Sequence, residues 1–130
     1  MTPEEKLFSE QAKTYIRAHR KALSRVLTDI TKHPSEDMPV SVFMAGSPGA
    51  GKTETSKAYL KQFEEVNIKG EVTYEILRID PDEYRALIPG YTGGNSWLVQ
   101  SAVSLLVERV LDDALKQKQS FLLDGTFANA

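Results

Sequence analysis

The chain has 130 residues, 41% hydrophobic and 26% charged, which is the size and composition of one folded domain, excludes a second full domain and argues against disorder. Its 16 Lys and Arg against 18 Asp and Glu give a formal charge of −2, so no overall field favours nucleic acid or an anionic membrane, and an anionic ligand must be held locally. The lack of cysteine excludes disulfides, a thiol nucleophile and cysteine-ligated metal sites. The acidic start MTPEEK has no signal-peptide character, and no apolar run approaches the ~18 residues of a membrane span, which predicts a cytoplasmic protein.

Thr2 and Glu5 have the spacing of a capping box, with Pro3 at the first helical position. Phe8, Ala12, Tyr15, Ile16, Leu23, Val26, Leu27 and Ile30 then follow as the apolar stripe of one amphipathic helix ending before Pro34. At ~1.5 Å per residue such a helix reaches ~40 Å, long against a radius of gyration of ~14 Å, so it must bend, overhang or meet a partner. Whether it inhibits, dimerises or packs stays open. Residues 34–39, with two prolines and Ser35, Glu36 and Asp37, read as a linker. Residues 1–35 are therefore expected to form an amino-terminal helix and linker, and 36–130 the domain proper.

The period then changes. Val40, Ser41, Val42, Phe43, Met44 and Ala45 form a β-prone run suited to a strand buried on both faces. A helix is predicted over 52–65, with Ala58, Tyr59 and Phe63 inward, then a turn at 67–70 and a second strand over 73–79. Prolines and glycines punctuate 80–95, leaving room for a short helix over 82–88. Residues 96–118 read as a helix with Leu98, Ala102, Leu105, Leu106, Val110 and Leu115 near one stripe, and 121–123 as the third strand. Strands alternating with helices predict parallel pairing through right-handed crossovers and a three-layer α/β/α fold.

Gly46, Ser47, Pro48, Gly49, Ala50, Gly51, Lys52 and Thr53 match the phosphate-loop (Walker A) pattern G-x-x-x-x-G-K-[ST] without a gap, between a predicted strand and a predicted helix. Glycines let successive N–H groups turn toward a phosphate, the helix dipole adds positive potential, Lys52 neutralises terminal phosphate charge, and the Thr53 hydroxyl suits Mg²⁺. This makes the α/β fold one of P-loop NTPase type that binds ATP and Mg²⁺. Asp80, Pro81 and Asp82 end the second strand, at the edge where ligands of open α/β sheets bind. Either acid can be catalytic there, or the pair can simply cap a helix and open a turn. Asp124 follows an apolar strand, an arrangement that lets a carboxylate reach Mg²⁺ or its water shell, with Gly125 and Thr126 next along the edge.

Three blocks, GSPGAGKT at 46–53, RIDPDEYRALIPGY at 78–91 and FLLDGT at 121–126, together resemble the zeta toxin family of P-loop kinases. The resemblance runs from about residue 40 to 130, and its diagnostic part is the middle block, an I-D-x-D-x-aromatic-basic run followed by P-x-aromatic. It implies phosphoryl transfer from ATP to UDP-N-acetylglucosamine by the toxin of a toxin–antitoxin pair, with an antitoxin protein as partner. It further implies that Lys52 and Thr53 hold ATP phosphates and magnesium, that Asp82 is the base accepting a sugar hydroxyl proton, and that Asp80, Arg85 and Thr126 lie by the sugar nucleotide. Asp124 stands where the family commonly has glutamate, one methylene longer. The family's further strands and phosphate-clamping arginines have no counterpart within 1–130, and Arg78, Arg85 and Arg109 match none of those arginines. The resemblance therefore implies a kinase domain incomplete at its carboxyl end, truncated after the third strand, with nucleotide binding but little turnover expected of residues 1–130 alone.

Other residues read more plainly. His19 and His33 are solvated side chains, Trp97, Tyr84 and Tyr91 either stack on a base or anchor packing, and Glu108, Arg109, Asp112, Asp113, Lys116 and Lys118 form a solvated helix face. Two functions compete with the kinase: a nucleotide-binding module without catalysis, and a P-loop phosphotransferase for another small molecule.

Overall fold

The computed structural model describes residues 1–44 and 76–124. The phosphate-loop residues 46–53, the helix expected over 52–65, the turn at 67–70, the start of the second strand, and Gly125 and Thr126 lie outside the described residues. Helix α1 (Pro3–Leu27) opens with the expected capping box: the Thr2 hydroxyl accepts the Glu5 N–H at 3.1 Å, and Glu5 Oε1 accepts the Thr2 N–H at 2.8 Å. Along the chain follow β1 (Ser41–Met44), β2 (Leu77–Ile79), α2 (Pro81–Tyr84), a 3₁₀ turn (Arg85–Leu87), α3 (Ser96–Lys116) and β3 (Phe121–Asp124).

α1 ends short of the boundary predicted at Pro34, for a local reason. Asp29 Oδ1 accepts both the N–H and the hydroxyl of Thr31, at 2.9 and 2.8 Å, and this side-chain turn competes with further helix. Ile30 therefore falls beyond the helix and is 54% exposed, while Val26 lies off the buried stripe at 74%. The inward face carries Ala12, Ile16 and Ser24.

The strand order is β1-β3-β2, and both pairs are parallel. All four residues of β3 are buried, and since successive side chains point to opposite sides, both faces of this strand are covered. β1 departs from its expected double burial: Ser41 and Phe43, on one face, are exposed, and Val42 and Met44, on the other, are half-buried; among the described residues β1 is also an edge of the sheet. The Phe43 ring meets Phe121 edge-on, centroids 5.8 Å apart.

α3 buries Leu98, Val99, Ala102, Val103, Leu106, Val110 and Ala114. The helical period makes Ala114, eight residues after Leu106, the inward residue, so Leu115 is solvent-facing rather than part of the stripe. One apolar core joins Ala12 and Ile16 of α1 to Leu77, Ile79, Leu106 and Phe121. At the amino end of α1, Phe8 packs on the turn after the 3₁₀ segment. Gly90 there has φ +88°, and a Cβ on it would lie 2.8 Å from the Phe8 ring, so backbone conformation and close approach both require glycine.

Polar bonds close the other end. Ser24 Oγ donates to Asp113 Oδ2 at 2.6 Å, and Arg109 Nε to the same oxygen at 3.0 Å. Gln119 Nε2 donates to the carbonyls of Thr28 and His33, at 2.8 and 2.7 Å. The expected linker is tied down as well: Ser35 Oγ donates to the Gln117 carbonyl at 2.6 Å, and the Glu36 N–H to the Lys118 carbonyl at 2.8 Å. Asp113 is thus not on a purely solvated face. Burial alone would raise its pKa, but hydrogen bonds from Ser24 and Arg109 outweigh burial and hold it below the ordinary value. A depressed carboxylate stabilises the fold above its unfolded pKa and loses that contribution as pH falls through its folded value. Asp113→Asn should accordingly flatten the acid limb of the stability curve, read as urea midpoints from neutral pH down into the aspartate range. An acid limb as steep as wild type would contradict this role.

Candidate active site

The period of two along a strand puts Arg78 and Asp80 on one side of β2. In the parallel register Arg78 lies beside Leu122, so Asp124, two residues further on, falls on that same side. The contacts follow. Arg78 Nη2 reaches Asp80 Oδ2 and Asp124 Oδ2, both at 2.8 Å, and Nη1 reaches Glu83 Oε1 at 2.6 Å. The Arg78 side chain is 12% exposed and that of Asp124 0%, so the cluster sits inside the carboxyl edge of the sheet. Removing one of the buried partners, Arg78, Asp80 or Asp124, typically costs about 3–5 kcal/mol, whereas the contact with Glu83, 63% exposed, contributes far less. Hydrogen bonds from Arg78 to Glu83 and Asp124 outweigh its desolvation and favour the guanidinium form.

Asp80 has the ordinary role that sequence allowed it. It caps α2, its Oδ1 accepting the Asp82 N–H at 2.9 Å. The residue is buried; burial raises its pKa against the opposing pull of Arg78. Asp82 is instead presented outward, its side chain 41% exposed and its Oδ1 3.1 Å from Arg85 Nη2. Arg85 also reaches Gln100 Oε1 at 3.4 Å. Of the two acids, Asp82 is therefore the one a ligand can meet.

Tyr84 is a packing anchor, buried within the core. Its hydroxyl makes no hydrogen bond among the described residues, and burial pushes its pKa far above the usual phenol range. Tyr91 packs against the same core, while Trp97 is 54% exposed. Exposed His19 lies with its ring 4.3 Å from that of Tyr15, and His33 is half-buried. Motif reading named Arg78 only as matching none of the phosphate-clamping arginines and gave Glu83 no role. A usable signal was present: an arginine between Leu77 and Ile79, two residues before an aspartate on a buried strand.

Among the described residues no group of three acidic or histidine side chains is placed to hold a metal, because Asp80, Glu83 and Asp124 converge on a guanidinium instead. None of the described helices is long and apolar enough to cross a membrane.

The family model described as zeta toxin matches residues 23–130. The chain belongs to the zeta toxin family. Among solved structures it is similar to a chain from the PezAT chromosomal toxin–antitoxin system of Streptococcus pneumoniae, with a TM-score of 0.66 and 22% identity over 97% of this chain. The match covers 47% of that chain, so this zeta toxin-family chain spans about half the length of its structural relative. The likeness is one of fold: an α/β arrangement with a parallel sheet and a long first helix. No curated protein matches the sequence.

Proposed function

We propose that this zeta toxin-family chain supplies the nucleotide site and catalytic base of an ATP-dependent kinase that phosphorylates a sugar nucleotide, UDP-N-acetylglucosamine, and that an antitoxin protein restrains it. The observation that carries the reading is the presentation of Asp82. Of the Asp80–Asp82 pair it is the exposed acid at the carboxyl edge of a parallel sheet, in a chain whose residues 46–53 spell a complete phosphate loop.

In this reading Lys52 and the loop amides hold the ATP phosphates, and Thr126 lies by the sugar nucleotide. ATP supplies the phosphoryl group and magnesium neutralises phosphate charge, with Thr53 as its protein ligand. Asp124 does not fit direct metal ligation: its side chain is closed to solvent and its Oδ2 is held by Arg78, so no step is assigned to a metal there. Asp82 accepts the proton of the acceptor hydroxyl as that oxygen bonds to phosphorus and ADP departs. Arg85, 3.1 Å away, orients the Asp82 carboxylate.

In the full-length protein, Lys52→Ala should weaken ATP binding by about 1.5–3 kcal/mol through loss of a charge-assisted contact, measured by calorimetric titration. Equal affinities would remove the nucleotide assignment. ADP release that rises on adding UDP-N-acetylglucosamine tests the acceptor. ATP binding without acceptor-dependent release would instead favour a non-catalytic nucleotide-binding module.

A further inference from the structure

We infer that Arg78 is a positioning residue that fixes the direction of Asp82, an inference resting on the proposed role of Asp82 as base. The argument starts from connectivity. Asp124 at the tip of β3 binds Arg78, Arg78 binds Asp80, and Asp80 Oδ1 binds the Asp82 N–H. The other guanidinium nitrogen binds Glu83 on the far side of Asp82. Arg78 therefore holds both residues that flank Pro81 and Asp82, and it anchors them to the neighbouring strand.

Electrostatics gives the same result. Asp80 and Asp124 are buried and share one nitrogen of Arg78 with Glu83 on the next. Without the cation, carboxylates gathered in that volume repel, and the first turn of α2 opens. A planar fork with separate donors can span these acceptors, whereas a lysine ammonium, a compact point charge, cannot keep the same geometry. At 12% side-chain exposure Arg78 acts through Asp82 and is not itself a group that meets the acceptor. The effect is large because a displacement of ~1 Å in a reacting group can cost about 10²-fold in rate.

The test uses Arg78→Met and Arg78→Lys in the full-length protein, with two readouts. In amide exchange, both variants should speed exchange at the Asp82 N–H by about tenfold or more, the scale of one lost hydrogen bond. The β3 amides of Leu122 and Leu123 should stay near wild type in Arg78→Lys, which carries the test if Arg78→Met does not fold. In kinetics, kcat for acceptor phosphorylation should fall by about 10²-fold with the KM for ATP little changed. Unchanged exchange at Asp82, equal loss of protection across β3 and α2 in Arg78→Lys, or an unchanged kcat would each overturn the inference. A wild-type protein inactive toward UDP-N-acetylglucosamine would count against the proposed function alone, and the exchange readout would still decide the role of Arg78.

Discussion

Asp82→Asn in the full-length protein should lower acceptor phosphorylation by about 10²–10⁴-fold, the usual contribution of a positioned general base, while ATP affinity stays near wild type. The separation is expected from the geometry. The α2 cap uses the backbone N–H of Asp82, so replacing its side chain by an amide of the same shape leaves the turn in place. The Asp82–Arg85 pair is partly exposed, and its loss should cost under about 1 kcal/mol. Asp80→Asn differs, because it removes a buried charge facing Arg78 and should lower the melting temperature. Initial rates of ADP release at saturating ATP, with melting curves, distinguish the two. A stable, inactive Asp80→Asn beside a fully active Asp82→Asn would move the base to Asp80.

Ile16→Ala should have the largest effect on stability of any single change in α1. Ile16 is 0% exposed within the shared core, and deleting such a side chain typically costs about 2–5 kcal/mol in lost transfer energy and cavity formation. That is a large share of the roughly 5–15 kcal/mol that holds an ordinary domain together. Val26→Ala, on the same helix but 74% exposed, should stay within about 0.5 kcal/mol of wild type. Denaturant midpoints decide the matter. If both substitutions were equally mild, α1 would be an appendage rather than part of the core.

Features that depend on neighbours in sequence were the legible ones. The Thr2–Glu5 box, the Asp80 cap and the alternation of helices with parallel strands all follow from spacing over a few residues. The boundary near Leu27 was missed because Asp29 offers Thr31 two short-range bonds that apolar periodicity does not weigh. The burial of β1 was misjudged because a strand's position in a sheet is set by pairing partners far away in the chain. Asp113 looked solvated for the same reason, its partner Ser24 being distant in sequence. At the site, position left Asp80 and Asp82 open and the family resemblance chose Asp82, while neither gave Arg78 a role, since a cation inside a buried strand carries its meaning only once β2 and β3 are laid side by side.

The clasp between α1 and α3 also bears on how the chain is made. Ser24 and Asp113 are 89 residues apart in sequence, which at about 5–20 residues per second corresponds to roughly 4–18 s of synthesis. During that interval α1 emerges from the ribosome without the helix that covers Ala12 and Ile16. Its apolar stripe is then uncovered, and the parallel sheet cannot be sealed until β3 has been placed between β1 and β2. The nascent protein therefore passes through a stage in which its first helix is complete while Arg78 still lacks Asp124, so the order of synthesis itself delays the closing of that buried cluster.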